Sequence, residues 1–174
     1  IKVMKLILAF AACAACALAQ NPLTQAVTAS YNGAKTNLIE TAAAMPAEDY
    51  GFKLTPAQRP FGEWIEHTAM GNYSFCSAIA GTKPPAEAEH AHGVSGKAAI
   101  EGVLKASFEY CDGVLKTMTD QKALTEVTIG DRKSYPAAAM VRLVGSLNEH
   151  YGNLVGYLRS KGVTPPSTAR QKKK

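Results

Sequence analysis

The chain lacks the marks of most catalytic machinery: it has no H-E-x-x-H, no G-x-S-x-G elbow and no glycine-rich phosphate loop. These absences exclude the familiar zinc-peptidase, serine-hydrolase and nucleotide-binding arrangements. Strand-like alternation of useful length is missing too, so a sandwich or barrel is excluded, although Thr125 to Ile129 could pair briefly. No apolar run reaches the ~20 residues that a membrane-spanning helix needs. An excess of one charge in the folded body is also missing. Of 19 basic residues, Lys2, Lys5, Arg170, Lys172, Lys173 and Lys174 lie at the two ends, which leaves thirteen against 14 acidic residues although the formal charge is +5. A near-neutral body argues against a nucleic-acid face built into the fold.

What is present begins with an address. Met4-Lys5 opens the apolar run Leu6 to Phe10, and Ala17-Leu18-Ala19 supplies a small-residue cleavage site. That is the pattern of a secretory signal peptide over residues 1–19, with Ile1-Lys2-Val3 ahead of the first methionine. The expected product is exported, to a periplasm or to the outside, as one domain over 20–168 with a basic, disordered tail over 169–174. Cys13 and Cys16 leave with the signal. Cys76 and Cys111 remain in an oxidising compartment, where a structural bridge and two buried thiols are the competing readings.

Helical periodicity appears in four segments, which predicts an all-α four-helix bundle with a long loop between helices 2 and 3. In the first, Leu23, Val27, Tyr31, Ala34, Leu38, Thr41 and Met45 recur at steps of three and four and stop at Pro46. The second is expected to open near Thr55-Pro56-Ala57-Gln58, a capping-box match, and to restart at Pro60, with Phe61, Ile65, Thr68, Asn72, Phe75 and Ile79 inward and Gly81 as its stop. The third follows Ser95 as N-cap and turns Ile100, Leu104, Ser107, Cys111, Val114 and Met118 inward. The fourth runs from about Ser134 to Lys161 on a stripe of Met140, Val144, Leu147, Tyr151, Leu154 and Leu158.

Two histidines lie on helices. His150 falls roughly 60° from Leu147 on the wheel, at the edge of the apolar face, and His67 has a similar border position in the second helix. A border histidine is more often a packing residue than a metal ligand. His90 and His92, in Glu89-His90-Ala91-His92, sit in the loop and read as surface residues without the fixed surroundings that a tight metal site needs.

The residues around the helical histidines carry a family resemblance. Arg59-Pro60-Phe61-Gly62-Glu63-Trp64-Ile65-Glu66-His67 followed by Gly71-Asn72-Tyr73-Ser74-Phe75-Cys76, together with Asn148-Glu149-His150-Tyr151-Gly152-Asn153-Leu154 and Gly162-Val163-Thr164-Pro165-Pro166, resemble the DinB-like family over about 42–167. The resemblance implies a four-helix bundle of the DinB-like type that binds a divalent metal, zinc or nickel, through three histidines between helices 2 and 4. His67 and His150 match two of them. Ser146 occupies the position of the third, and Glu63 is a substitute carboxylate on the same helix as His67.

Two functional readings follow. One is a metal-dependent enzyme, a thiol transferase or hydrolase in which bound metal activates a thiol or water. The other is a non-catalytic bundle that binds a small molecule or a partner in the cell envelope. A homodimer is compatible with either; nucleic acid and an integral membrane span after signal cleavage are not expected.

Overall fold

The apolar stripes form four long helices in the structure, a computed structural model that describes residues 21–129 and 132–172. Residues 1–19, expected from the sequence to be a signal peptide, lie outside the described residues. Helices α1 (Pro22–Ala44), α2 (Phe61–Ala80) and α3 (Lys97–Lys116) are followed by a one-turn α4 (Asp120–Ala123) and an antiparallel hairpin of β1 (Val127–Ile129) and β2 (Arg132–Ser134), with Val127 opposite Ser134. The fourth bundle helix is α5 (Pro136–Ser160), and a short α6 (Pro166–Gln171) ends the described chain. Helix α2 packs between α3 and α5, and α1 closes the bundle against both of them. Among the described residues, no helix is long and apolar enough to cross a membrane.

Tyr31, Leu38 and Met45 of the first helix and its exit meet Phe61 and Ile65 of α2, Leu104 and Phe108 of α3, and Met140, Leu143 and Leu147 of α5 in one core. Each such side chain contributes about 1.5–3 kcal/mol by leaving water. The start of α1 has no side-chain cap of its own. Asp120 serves instead: its carboxylate accepts the backbone N–H groups of Leu23 (3.0 Å) and Thr24 (2.8 Å), while its own N–H donates to Asn21 Oδ1 (2.9 Å). A carboxylate there satisfies free amides and faces the positive end of the helix dipole.

Several boundaries differ from the sequence-based expectation. Helix α2 begins at Phe61 rather than near Thr55, and Thr55 to Gln58 make a turn closed by Gln58 N–H to the Thr55 carbonyl (3.1 Å). Pro60 has no N–H to extend a helix from that turn, so it restarts the helix instead. Ser95 does not cap α3; Gly96, at φ 85°, precedes Lys97 in a conformation that favours glycine. Ala169 to Gln171, expected in a disordered tail, belong to α6, where Arg170 pairs with Glu40 and Asn37 of α1. On α5 the buried line runs through Met140, Leu143, Leu147, His150, Leu154 and Tyr157, whereas Val144 and Tyr151 are only half-buried.

Cys76 of α2 and Cys111 of α3 are both fully buried and form a disulfide, with Cα atoms 5.4 Å apart. The bridge closes a loop of 35 residues. In the chain-entropy treatment a loop of that length stabilises the fold by about 4 kcal/mol. The chain from residue 20 onward should therefore show no alkylatable thiol under denaturing, non-reducing conditions. Reduction should lower its urea midpoint by an amount corresponding to a few kcal/mol.

Candidate functional site

Helix α2 carries Trp64, His67 and Thr68 on the side that meets α5, and α5 answers with Ser146, His150 and Tyr157. Trp64 to Thr68 and Ser146 to His150 are steps of four, about one helical turn, which stacks those side chains along the seam. The two imidazoles come together: the ring centroids of His67 and His150 are 5.1 Å apart, with planes inclined by 50°. Trp64 packs against both rings, at 5.9 Å from His67 and 5.4 Å from His150. The indole is itself fixed, because its Nε1–H donates to the Tyr157 hydroxyl (3.1 Å), which in turn donates to the Arg59 carbonyl (2.6 Å).

The hydrogen bonds assign the proton of His150. The Thr68 hydroxyl donates its only proton to the Trp64 carbonyl one turn back (2.8 Å). At 3.2 Å from His150 Nδ1 it can therefore only accept, so Nδ1 carries the N–H. That leaves the lone pair on Nε2, which faces the Ser146 hydroxyl at 3.4 Å. His67 makes no side-chain hydrogen bond among the described residues, so its lone pair is not engaged by the protein.

Both rings are held neutral. Burial first and the neighbouring His67 next push His150 down to about 4; Glu149 pulls it upward, and the Arg59 guanidinium adds a smaller downward push. Burial and Arg59 also lower His67, with Glu63 and Glu149 opposing. Arg59 lies over the Trp64 ring, 5.1 Å from its centroid, and pairs with Glu63 at 3.2 Å. A neutral imidazole is the form that binds a metal ion.

The structure brings His67 beside His150, and Ser146 within 3.4 Å of the His150 ring. His150 is 6% exposed and lies inside the bundle, not at the border of its apolar face. Glu63 is half-exposed and engaged by Arg59. Among the described residues no three His, Cys, Asp or Glu side chains group into a metal site. His90 is exposed at the end of a single 3-10 turn, Ala86–His90, while His92 approaches Glu66 of α2. Sequence reasoning missed the tautomer-setting role of Thr68 and the anchoring of Trp64 by Tyr157. The four-residue steps Trp64 to Thr68 and Ser146 to His150 were the available signal.

Two solved structures are similar to this chain. A DinB-like protein from Bacillus subtilis superposes with a TM-score of 0.65 at 19% identity, over 79% of this chain and 92% of that one. A DinB-like protein from Bacillus cereus superposes with a TM-score of 0.68 at 16% identity, over 82% of this chain and 95% of that one. The likeness shows the fold: a four-helix bundle of the DinB-like type. No family model matches the chain, and no curated protein matches it.

The neutral His150 has a consequence for stability. Its folded value lies below the ordinary 6.5, so between pH 6.5 and about 4 the unfolded chain takes up a proton that the folded chain refuses. Stability of the metal-free protein should fall as the pH drops through that window. Urea midpoints at pH 7 and pH 5 measure it, and His150→Gln should flatten the dependence.

Proposed function

We propose that this chain, whose fold is that of the DinB-like proteins, is an exported member of that family. In this reading it binds a divalent metal, zinc or nickel, weakly through His67 and His150. The observation that carries the reading is the pair of imidazoles, from two helices, with centroids 5.1 Å apart. Two imidazoles on one tetrahedral ion, each with a metal–nitrogen bond of about 2 Å, place their centroids roughly 5 Å apart. The pair fits; a complete three-imidazole set does not, because Ser146 offers a neutral hydroxyl where a nitrogen would be needed. Such a site is weaker than a closed one and leaves positions for an outside ligand.

A metal held there would supply Lewis acidity, lowering the pKa of a bound thiol or water. The chain's own residues do the rest. Thr68 keeps the His150 proton on Nδ1 and so leaves Nε2 free to ligate. Trp64 walls the two rings on one side, and Arg59 adds a positive charge that favours an anionic group nearby. The N-terminal pattern of 1–19 supports export. Ser146 favours a second reading, in which the bundle keeps its scaffold and binds a ligand or partner without catalysis.

Calorimetric titration of the metal-free mature protein with zinc and nickel separates the two. Saturable binding is expected, abolished in His67→Ala and in His150→Ala. Thr68→Val should weaken it roughly 10-fold or more by freeing the tautomer. Ser146→His should tighten it at least as much. A natural protein that binds no more metal than the His67→Ala/His150→Ala double variant defeats the metal reading and leaves the non-catalytic one.

A further inference from the structure

We infer that a second site exists on another side of α2, where Glu66 and His92 form a receptor for a small primary ammonium group. One residue along a helix turns the side chain by about 100°, so Glu66 points away from the α5 seam that His67 joins. It lines a cleft of about 380 Å³ between α2, the start of α3 and the loop before it. The Glu66 side chain is only 8% exposed and accepts no hydrogen bond among the described residues. Its oxygens are not among the fully buried, unpartnered atoms, so they meet solvent only at the floor of the cleft, where an entering donor would find them.

Among the described residues the group that approaches it is His92, 69% exposed, whose Nδ1 lies 4.0 Å from Glu66 Oε2. That gap is too long for a hydrogen bond. It is also too wide for a shared tetrahedral zinc ion, which would hold an oxygen and a nitrogen only roughly 3.3 Å apart. Two acceptors around a single ammonium nitrogen, each at about 2.8 Å, stand roughly 4–4.6 Å apart. The observed spacing fits an ammonium group donating one N–H to the carboxylate and another to a neutral imidazole.

The surroundings agree. Glu63 also lines the cleft but is paired with Arg59, which leaves Glu66 as its uncompensated carboxylate, and Tyr50, Val94 and Ile100 give it apolar walls that suit a short alkyl or aryl chain behind the amine. His92 is held in place by its neighbours. Ala91 is fully buried and anchors the loop, and Gly93 and Gly96 turn it at φ 72° and 85°. The chain's own nearby ammonium does not serve Glu66, because Lys97 Nζ donates to the carbonyls of Ala43 (2.7 Å) and Met45 (2.8 Å) and pairs with Glu101.

Amide NMR titration of the mature protein with n-butylammonium chloride at pH 8 tests the site. Saturable shifts are expected at Gly62, Gly93 and Gly96, with n-butanol producing none that saturate. Glu66→Gln should weaken binding at least 10-fold without lowering the unfolding midpoint, since it removes a buried charge. His92→Ala, an exposed position that cannot compromise the core, should weaken it several-fold. The His67→Ala/His150→Ala double variant should bind the amine as the natural protein does, which keeps this result separate from the metal reading. Equal binding by Glu66→Gln and His92→Ala, equal shifts from butanol, or displacement of the amine by stoichiometric zinc chloride in the double variant would each overturn the proposal.

Discussion

An imidazole inside a helical bundle has one proton to give and one lone pair to keep, and in this molecule Thr68 decides which nitrogen does which. The threonine can do so because its own proton is already committed to the Trp64 carbonyl, a local bond that costs nothing in tertiary arrangement. From that commitment follow the protonation of His150 at Nδ1, the orientation of its ring and the direction of Nε2 toward Ser146. One turn earlier, Tyr157 ties Trp64 to the carbonyl of Arg59. The α2–α5 seam is thus fixed at two heights by polar contacts within an apolar core. A buried polar group that lacked its partner there would cost more than the bond itself contributes. The disulfide fixes the opposite side of α2 to α3, so the helix that carries both candidate sites is the most constrained rod in the bundle.

The existence and order of the four helices were legible because apolar residues at steps of three and four leave little choice of element. The direction in which a helix faces was less so. On α5 a stripe through Val144 and Tyr151 and one through Leu143, His150 and Tyr157 are almost equally apolar, and the neighbours decide between them. Tyr151 bonds Ser167 of α6 through its hydroxyl, at 2.6 Å to Oγ and 3.1 Å to the backbone N–H. That draws it toward the flank. His150, a border residue by its place on the wheel, lies in the interior because Thr68 on the facing helix accepts a hydrogen bond from its Nδ1–H. Hydrophobic patterning has no way to register a partner that lies 82 residues away.

The same limit explains the sites. His67, His150 and Ser146 were singled out by the family resemblance of the sequence blocks around them, since helical spacing alone leaves a border histidine as a packing residue. Arg59, Trp64 and Tyr157 could not be assigned roles, because their bonds cross from one end of α2 to the end of α5. The loop before α3 reads as polar and irregular, and for His90 that description holds. Ala91 is the exception: a small apolar residue between two histidines that buries itself completely and so directs His92 at Glu66. In a segment of mixed polarity a single alanine gives no periodic signal.

Serine at position 146 acts on the histidine pair in two ways. A third imidazole would bring a lone pair to the convergence point; a hydroxyl brings a weak donor atom instead. The hydroxyl also has a proton, and with His150 Nδ1 already protonated, the nitrogen that can receive it is Nε2, 3.4 Å away. The hydroxyl at position 146 therefore competes for the one free lone pair of His150. A metal ion entering the seam would have to displace that bond as well as find its further donors in solvent or substrate. Arg59 raises the barrier again: a positive charge near the rings makes them easier to keep neutral and harder to bring a cation against, unless Glu63 offsets it. Were a metal to enter the seam, the balance between that guanidinium and its carboxylate partner, and not the number of histidines alone, would set how readily it did so.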